Sequence, residues 1–324
     1  MPQNSLMFAP MAELSHRALR ELIVSFTEGS ATRTGSLPVE FFTEMISAAG
    51  LVSGGPFEKW YLDPGPRPGL LVYQLLGSDI ETIRAAAELL ETTACLGVDL
   101  NMGCAAPLIK KSGGGIRWME DGKKAALLVG AVRRVCSKRL SVKIRLGPEK
   151  TLYDEEAVFA RLEAFCRRLV DAGADLITLH PRMAGEKFKR RARWEYVTRL
   201  RQALSVPVAG NGDISSINEL LERLREGPVM IGRLAVQKPW IFAQAAGARI
   251  DEASVLEETA LRFLDLLRRF QPPEFHPSRA RRFFRYYCDN FTWAEQLRNR
   301  INREPALSGI AAVIRGYVAD GLAP

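Results

Sequence analysis

Eight short apolar runs, each leading into an amphipathic stretch or a gap long enough to hold one, constrain this chain more than any other feature. They cover residues 5–9, 41–46, 70–77, 97–103, 140–147, 176–182, 206–214 and 228–236. Most are continuously apolar rather than alternating, which is the pattern of parallel strands covered on both faces. Helix-like stretches lie between them at 15–26, 79–96, 121–136, 154–172, 194–204, 215–226 and 238–247. Several open on Ser or Asp, whose oxygens accept from the free N–H groups of a first helical turn. Eight such units predict an α/β chain folded as a (β/α)8 TIM barrel of about 250 residues.

The remainder of the 324 residues reads as helices only, at 252–270, 278–291, 294–302 and 307–320. The expected organisation is a barrel over 1–250 that carries the chemistry and a small all-helical domain over 251–324. The helical domain is expected to be entered through the breaker Gln271-Pro272-Pro273, and Gly and Pro crowd residues 54–69 before the third strand. That position predicts a place at the bottom of the barrel, remote from the site.

Composition narrows the partners. Lys and Arg number 45 against 37 Asp and Glu, a net charge of +8, which favours an anionic ligand such as RNA, phosphate or a lipid surface. No apolar run approaches the ~20 residues that span a bilayer, and Met1-Pro2-Gln3-Asn4-Ser5 has neither the basic start nor the apolar core of a signal peptide. Five cysteines without a CxxC pair predict reduced thiols in a cytoplasm. With three histidines in the chain, no metal site is expected.

In this fold chemistry sits at the carboxyl ends of the strands. Unusual polar residues cluster there: Ala9-Pro10-Met11, Thr43-Glu44-Met45, Gln74, Asn101-Met102-Gly103-Cys104, Lys143-Ile144-Arg145, His180-Pro181-Arg182, Asn211-Gly212-Asp213 and Gly232-Arg233. Packing alone does not explain a polar group at every strand end, because each buried one needs a partner. A large polar ligand at the barrel top does. The loops after strands seven and eight form the recurrent phosphate site of such barrels, and glycines there let backbone N–H groups approach phosphate oxygens. Arg233 adds a charge-assisted contact, so a phosphorylated cofactor is the natural occupant.

With these residues in view, the chain resembles the flavin-dependent tRNA-dihydrouridine synthases. The matching stretches run in family order through nearly the whole barrel: Ala9-Pro10-Met11, Thr43-Glu44-Met45, Tyr73 to Gly77, Gly97 to Cys104, Ser112 to Gly115, Ser141 to Gly147, Leu179-His180, Val206 to Ile214 and Met230 to Arg233. The bacterial C-type branch is closest in look, from Leu75-Leu76-Gly77 after Gln74, Gly113-Gly114-Gly115 and the tail from His276 to Tyr287. Three departures stand out. Ala105-Ala106 separate Cys104 from Pro107, where the family places Pro directly after the Cys. Pro181 replaces the Gly that follows the sixth-strand His, and Ile116 to Met119 replace small and apolar residues.

The resemblance implies FMN as cofactor, NADPH as electron source and tRNA as substrate. It implies hydride transfer from reduced FMN to C6 of a uridine while Cys104 protonates C5, with position 16 of the D-loop as the C-type target. An ordinary Cys has a pKa of ~8.5 and is mostly a thiol at pH 7, as an acid must be. Elsewhere a free Cys is usually a small buried hydrophobe, and Cys95, Cys136 and Cys166 on helix patterns read that way. Pro10, Met11, Gln74, Lys143 and His180 match flavin contacts, and Asn211, Gly212, Asp213, Gly232 and Arg233 form the phosphate end. Asn101 and Arg145 match substrate contacts. Read without the family, Lys143 is instead an ion-pair partner across the mouth for Glu44, Asn101 a turn residue and His180 a hydrogen-bonded core His.

Two basic clusters point to RNA. Arg182, Lys187, Lys189, Arg190, Arg191, Arg193, Arg199 and Arg201 follow the sixth strand and should rim the mouth. In 278–287, Arg279, Arg281, Arg282 and Arg285 interleave with Phe283, Phe284, Tyr286 and Tyr287, so that aromatics pack inward while arginines, Arg279 and Arg282 above all, meet phosphate. A monomer without a membrane partner is expected. The alternatives are a flavin barrel acting on a small molecule such as dihydroorotate, and an RNA-binding flavoprotein without turnover.

Overall fold

The computed structural model describes residues 5–28, 38–149, 154–186 and 189–322. Eight parallel strands close into a barrel: β1 (Leu6–Phe8), β2 (Val39–Ser47), β3 (Leu71–Leu76), β4 (Gly97–Met102), β5 (Arg139–Gly147), β6 (Leu176–Met183), β7 (Val208–Asn211) and β8 (Val229–Ile231). β8 pairs with β1 to close the ring. Helices on the outside are α1 (Arg17–Glu28), α2 (Ile80–Glu91), α3 (Gly122–Arg133), α4 (Glu155–Asp171), α5 (Glu195–Ala203) and α6 (Ile217–Glu226), with two short helices after β8, α7 (Arg233–Gln237) and α8 (Ile241–Ala245).

The caps behave as the sequence requires. Asp79 accepts from Thr82 N at 2.8 Å, Asp121 from Lys123 N at 3.0 Å and Asp154 from Ala157 N at 3.0 Å, while Ser216 rather than Ser215 caps α6. Strands seven and eight are shorter than the apolar runs, because their last residues leave the sheet to build the loops and α7.

Four helices follow: α9 (Glu252–Phe270), α10 (His276–Tyr287), α11 (Ala294–Arg303) and α12 (Leu307–Ala319), so the breaker Gln271-Pro272-Pro273 turns the chain between α9 and α10 rather than leading into the helical region. Their core is aromatic, with Phe263 stacked on Phe283 at 3.7 Å and Phe283 on Tyr287 at 4.8 Å. Tyr287 also meets Trp240 of the barrel at 6.3 Å, so one apolar core runs across both regions. A wholly buried ion pair reinforces this seam: Arg279 Nη1 donates to Glu44 Oε2 at 2.8 Å, and Glu44 Oε1 accepts from Glu13 N at 2.6 Å. The 54–69 segment is therefore not remote. Phe57 lies 4.9 Å from the Phe275 ring and Tyr61 lies under the Arg279 guanidinium, so it forms part of the seam.

Candidate active site at the barrel mouth

Alternate residues of a strand share a face, and in β4 to β7 that face supplies Asp99 and Asn101, Ser141, Lys143 and Arg145, Thr178 and His180, and Asn211. The parallel register sets them side by side. Gln74 neighbours Asp99, Asp99 neighbours Ser141, Asn101 neighbours Lys143 and Arg145 neighbours His180. Apolar Met7, Phe42, Val72, Leu176, Ala209 and Met230 fill the barrel around them.

On one side a chain of buried amides leads to Cys104. Asp99, fully buried, accepts from Ser141 Oγ at 2.6 Å and from Gln74 Nε2 at 2.7 Å. Burial pushes the Asp99 carboxyl up, and these two donors oppose that shift. Gln74 Oε1 accepts from Asn101 Nδ2 at 2.9 Å, and Asn101 Oδ1 accepts from Cys104 N at 2.9 Å and Gly103 N at 3.2 Å. The Cys104 carbonyl accepts from Ile116 N at 2.9 Å, and Arg145 Nε donates to the Gly103 carbonyl at 2.9 Å. Gly115 has φ +57°, and a Cβ on it would fall 2.5 Å from the Cys104 oxygen, so no other residue fits there. The backbone of Cys104 is thus held from three directions while its side chain stays half-buried. Cys136, Cys166 and Cys288 are buried, and burial pushes Cys136 up to about 11 and Cys288 up to about 12. They are core thiols.

On the other side the groups are ionic. Pro10, Met11, Lys143, Arg145, His180, Asn211, Gly212, Asp213, Gly232 and Arg233 together line a pocket of about 190 Å³. Burial, followed by the Arg145 cation, pulls Lys143 down to about 8. His180 is held well below its usual range by burial and then by Lys143, Arg145 and Arg182. Arg182 Nη1 lies 2.9 Å from His180 Nε2. A guanidinium only donates, so Nε2 accepts and the neutral ring carries its proton on Nδ1. Asp213, at φ +54°, accepts from buried Arg182, from Arg233 Nη2 at 2.9 Å and from Ala192 N at 2.7 Å. Trp194 Nε1 donates to the Gly212 carbonyl at 3.0 Å, and the indole covers Gly210, where a Cβ would fall 2.1 Å from the ring. Asn211 Nδ2 donates to the Met230 carbonyl at 2.8 Å and so ties the end of β7 to β8.

Several expected roles change. Gln74 has no exposed surface, so it reaches the site through Asn101 rather than by touching a flavin ring. Asn101 spends its oxygen on the Cys104 turn, which makes it a positioning residue. Asp213 orients two arginines instead of meeting an anion, which its own charge would repel. Arg279 does not face phosphate: it is buried against Glu44, and Glu44 is thereby unavailable to Lys143. Arg282 stays half-exposed, 3.5 Å from Glu13. The cluster after β6 divides. Arg193 pairs with Glu186 and Arg199 with Glu156, and Arg201 donates to carbonyls of Val208 and Pro228 at the far end of the strands. Lys189, Arg190 and Arg191 line a groove of about 680 Å³ beside the pocket, while Lys187, like residues 1–4, lies outside the described residues. Asp99 and Ser141 gave no sequence signal beyond the inward alternation, and Trp194, just before α5, gave none.

A parallel eight-stranded barrel with a fixed thiol near a cationic pocket at its mouth defines a β/α-barrel enzyme. The family model described as "Dihydrouridine synthase (Dus)" matches residues 7–309, and the chain belongs to that family. It is 28% identical over 270 residues to "Probable tRNA-dihydrouridine synthase 1" of Synechocystis sp., covering 80% of this chain and 74% of that one. A "Probable tRNA-dihydrouridine synthase" of Rhizobium leguminosarum is 27% identical, over 89% of this chain and 86% of its own. A tRNA-dihydrouridine(47) synthase-like protein of Xenopus tropicalis is 30% identical over 75% of this chain, which spans 36% of that longer protein. Among the described residues no helix is long and apolar enough to cross a membrane, and no group of three or more His, Cys, Asp or Glu is arranged to hold a metal ion.

Proposed function

We propose that this chain reduces the C5–C6 double bond of a tRNA uridine to 5,6-dihydrouridine, with FMN as its cofactor and NADPH as electron source. The observation that carries the reading is Cys104, half-exposed, fixed by Asn101, Ile116 and Arg145, and close enough to the pocket cations Lys143 and Arg145 to act on their charge. That donor set fits FMN. Lys143 and Arg233 supply positive charge, His180 is neutral, Met11 offers an apolar surface, and Gly212 and Gly232 leave open the space that a Cβ would take 2.9 Å from His180 and 3.0 Å from Met11. Pro10, Met11, Lys143, His180, Asn211, Gly212, Gly232 and Arg233 would hold it. When bound and reduced, the flavin supplies hydride to C6 of the uracil.

Hydride addition at C6 leaves an enolate through C5 and O4, and Cys104 Sγ–H gives its proton to C5, which completes the reduced bond. The proton donor must hold its place to within fractions of an ångström, and the Asp99–Gln74–Asn101 chain provides that. Lys143 and Arg145 stabilise negative charge at the pocket. A uridine in folded RNA must be flipped out to reach this depth. Its flanking phosphates would follow Lys189 to Arg191 and the helical face of Arg282 and Arg285. Position 16 of the D-loop is our assignment for the target, following the C-type resemblance. We place the reaction in the cytoplasm and the chain as a monomer.

The test incubates purified holoenzyme and NADPH with tRNA lacking this modification and maps dihydrouridine by mass spectrometry of fragments. New dihydrouridine at position 16, lost in Cys104→Ala, is the expected result. Dihydrouridine at position 47 would overturn the target, and none at all with a reducible flavin would overturn the reaction.

A further inference from the structure

Tyr286 sits where three cavities meet. It lines the pocket of about 190 Å³, the groove of about 680 Å³ that carries Lys189, Arg190 and Arg191, and a groove of about 800 Å³ that carries Arg282, Arg285 and Arg298. It is also the one residue of the helical region among those lining the central pocket. The helix explains how it gets there. On α10, Arg279, Phe283 and Tyr287 form the buried stripe, and Arg282 and Tyr286, four residues apart, share the neighbouring face. That face looks onto the mouth, because Arg282 approaches Glu13 in the loop after β1.

The helix is fixed at both ends. The Arg279–Glu44 pair holds its first turns, and Asn290 Nδ2 donates to the Gln237 carbonyl at 2.7 Å just beyond its last. Tyr286 is therefore a half-buried ring on a clamped helix, and its hydroxyl makes no hydrogen bond among the described residues. An aromatic side chain with two rotatable bonds loses little entropy on contact, and every nucleobase offers it a face.

We propose that Tyr286 is a positioning residue for the RNA. A strand whose phosphates occupy both basic grooves must cross Tyr286, and the nucleotide at the crossing is the one whose base can drop into the pocket. The ring stacks on the base next to the extruded uridine and takes the place that uridine left. This rests on the functional reading above and adds to it the residue that selects which nucleotide enters.

The experiment compares wild type with Tyr286→Phe, Tyr286→Leu and Tyr286→Ala as purified holoenzymes. It reads single-turnover reoxidation of reduced flavin by unmodified tRNA, relative to flavin reduction by NADPH in the same preparation, and tRNA affinity of the oxidised enzyme. Loss of one stacked base is expected to slow reoxidation or weaken affinity by about tenfold to a hundredfold in Leu and Ala, while Phe, which keeps the ring face, restores wild-type behaviour. Leu preserves apolar volume, so a defect in Leu that Phe repairs separates stacking from packing. If Leu matches wild type in both readouts, or Phe is as impaired as Ala, the proposal is overturned. If wild type itself is not reoxidised by tRNA, the functional reading falls first, and the affinity series still decides whether Tyr286 touches RNA.

Discussion

The two sides of the barrel mouth are built from different chemistry. From β3 to β5, Asp99, Gln74 and Asn101 hand hydrogen bonds along at 2.7–2.9 Å and end on the backbone of Cys104. From β6 to β8, Arg182, Asp213, Arg233 and neutral His180 form an ionic cluster around the glycine loops. Short directional bonds between buried groups fix an atom in place, and a chain of them with every member satisfied is rigid. Charges act over longer distances and attract an anion without fixing one atom. On the proposed reaction, the thiol side would set turnover and the ionic side the retention of a phosphorylated cofactor. Substitutions on either side test that division.

The largest effect falls on the thiol. Cys104→Ala removes the proposed general acid, whose contribution would be about a hundredfold to ten-thousandfold, and is expected to leave flavin content unchanged. Rates of tRNA-dependent flavin reoxidation check it, and a fully active variant would remove Cys104 from the reaction. Asn101→Ala comes next. It leaves the fully buried Gln74 carbonyl without its donor and releases the Cys104 N–H, costing about 1–3 kcal/mol of stability. Turnover should fall by about tenfold to a hundredfold through misplacement of the thiol, with flavin retained. If flavin is lost as readily as turnover, the two sides are not separate.

The ionic side should respond to pH instead. Lys143 loses its proton at about 8 in the fold and at 10.5 when unperturbed. Between those values the unfolded chain binds the extra proton, so this group makes the flavin-free protein more stable as pH rises through that window. Anion binding has the opposite slope: FMN affinity should fall above about pH 8, by up to tenfold per unit. Lys143→Met is expected to abolish both trends and to leave the remaining FMN affinity insensitive to pH there. Equilibrium titration of FMN from pH 7 to 10 checks this, and an unchanged slope in the variant would assign the titration to another group.

How much of this was legible in the sequence follows from the same contrast. The barrel was, because eight apolar runs alternating with helices admit few other arrangements, and the site positions were, because inward residues recur every second place on β4 to β7. Partners were not. An Asp at position 213 and an Arg at position 279 look like ligands until the fold supplies Arg182 for the one and Glu44 for the other, through contacts that span 31 and 235 residues of chain. Tyr286 was hidden in the same way: it stands in one aromatic run with Phe283, Phe284 and Tyr287, and only the angle of the helix separates it from the core.

The smallest effects concern the basic run after β6, which sequence offers as one cluster and the fold divides. Arg199 lies on α5 with its guanidinium on Glu156 and over the Phe159 ring, away from the mouth. Lys189, Arg190 and Arg191 are exposed and line the groove that leads to the pocket. Each phosphate contact removed from a nucleic-acid complex lowers the salt slope of binding by about one. Arg191→Ala is therefore expected to weaken tRNA binding modestly, at all tRNA sequences alike, with that loss of slope. Arg199→Ala should change neither affinity nor slope, and its thermal midpoint should stay at the wild-type value, since an exposed pair contributes little. Filter binding at several salt concentrations compares them. Equal effects of the two substitutions would mean that RNA wraps past the mouth onto the outer helices. The ionic side would then be the middle of a longer track rather than its end.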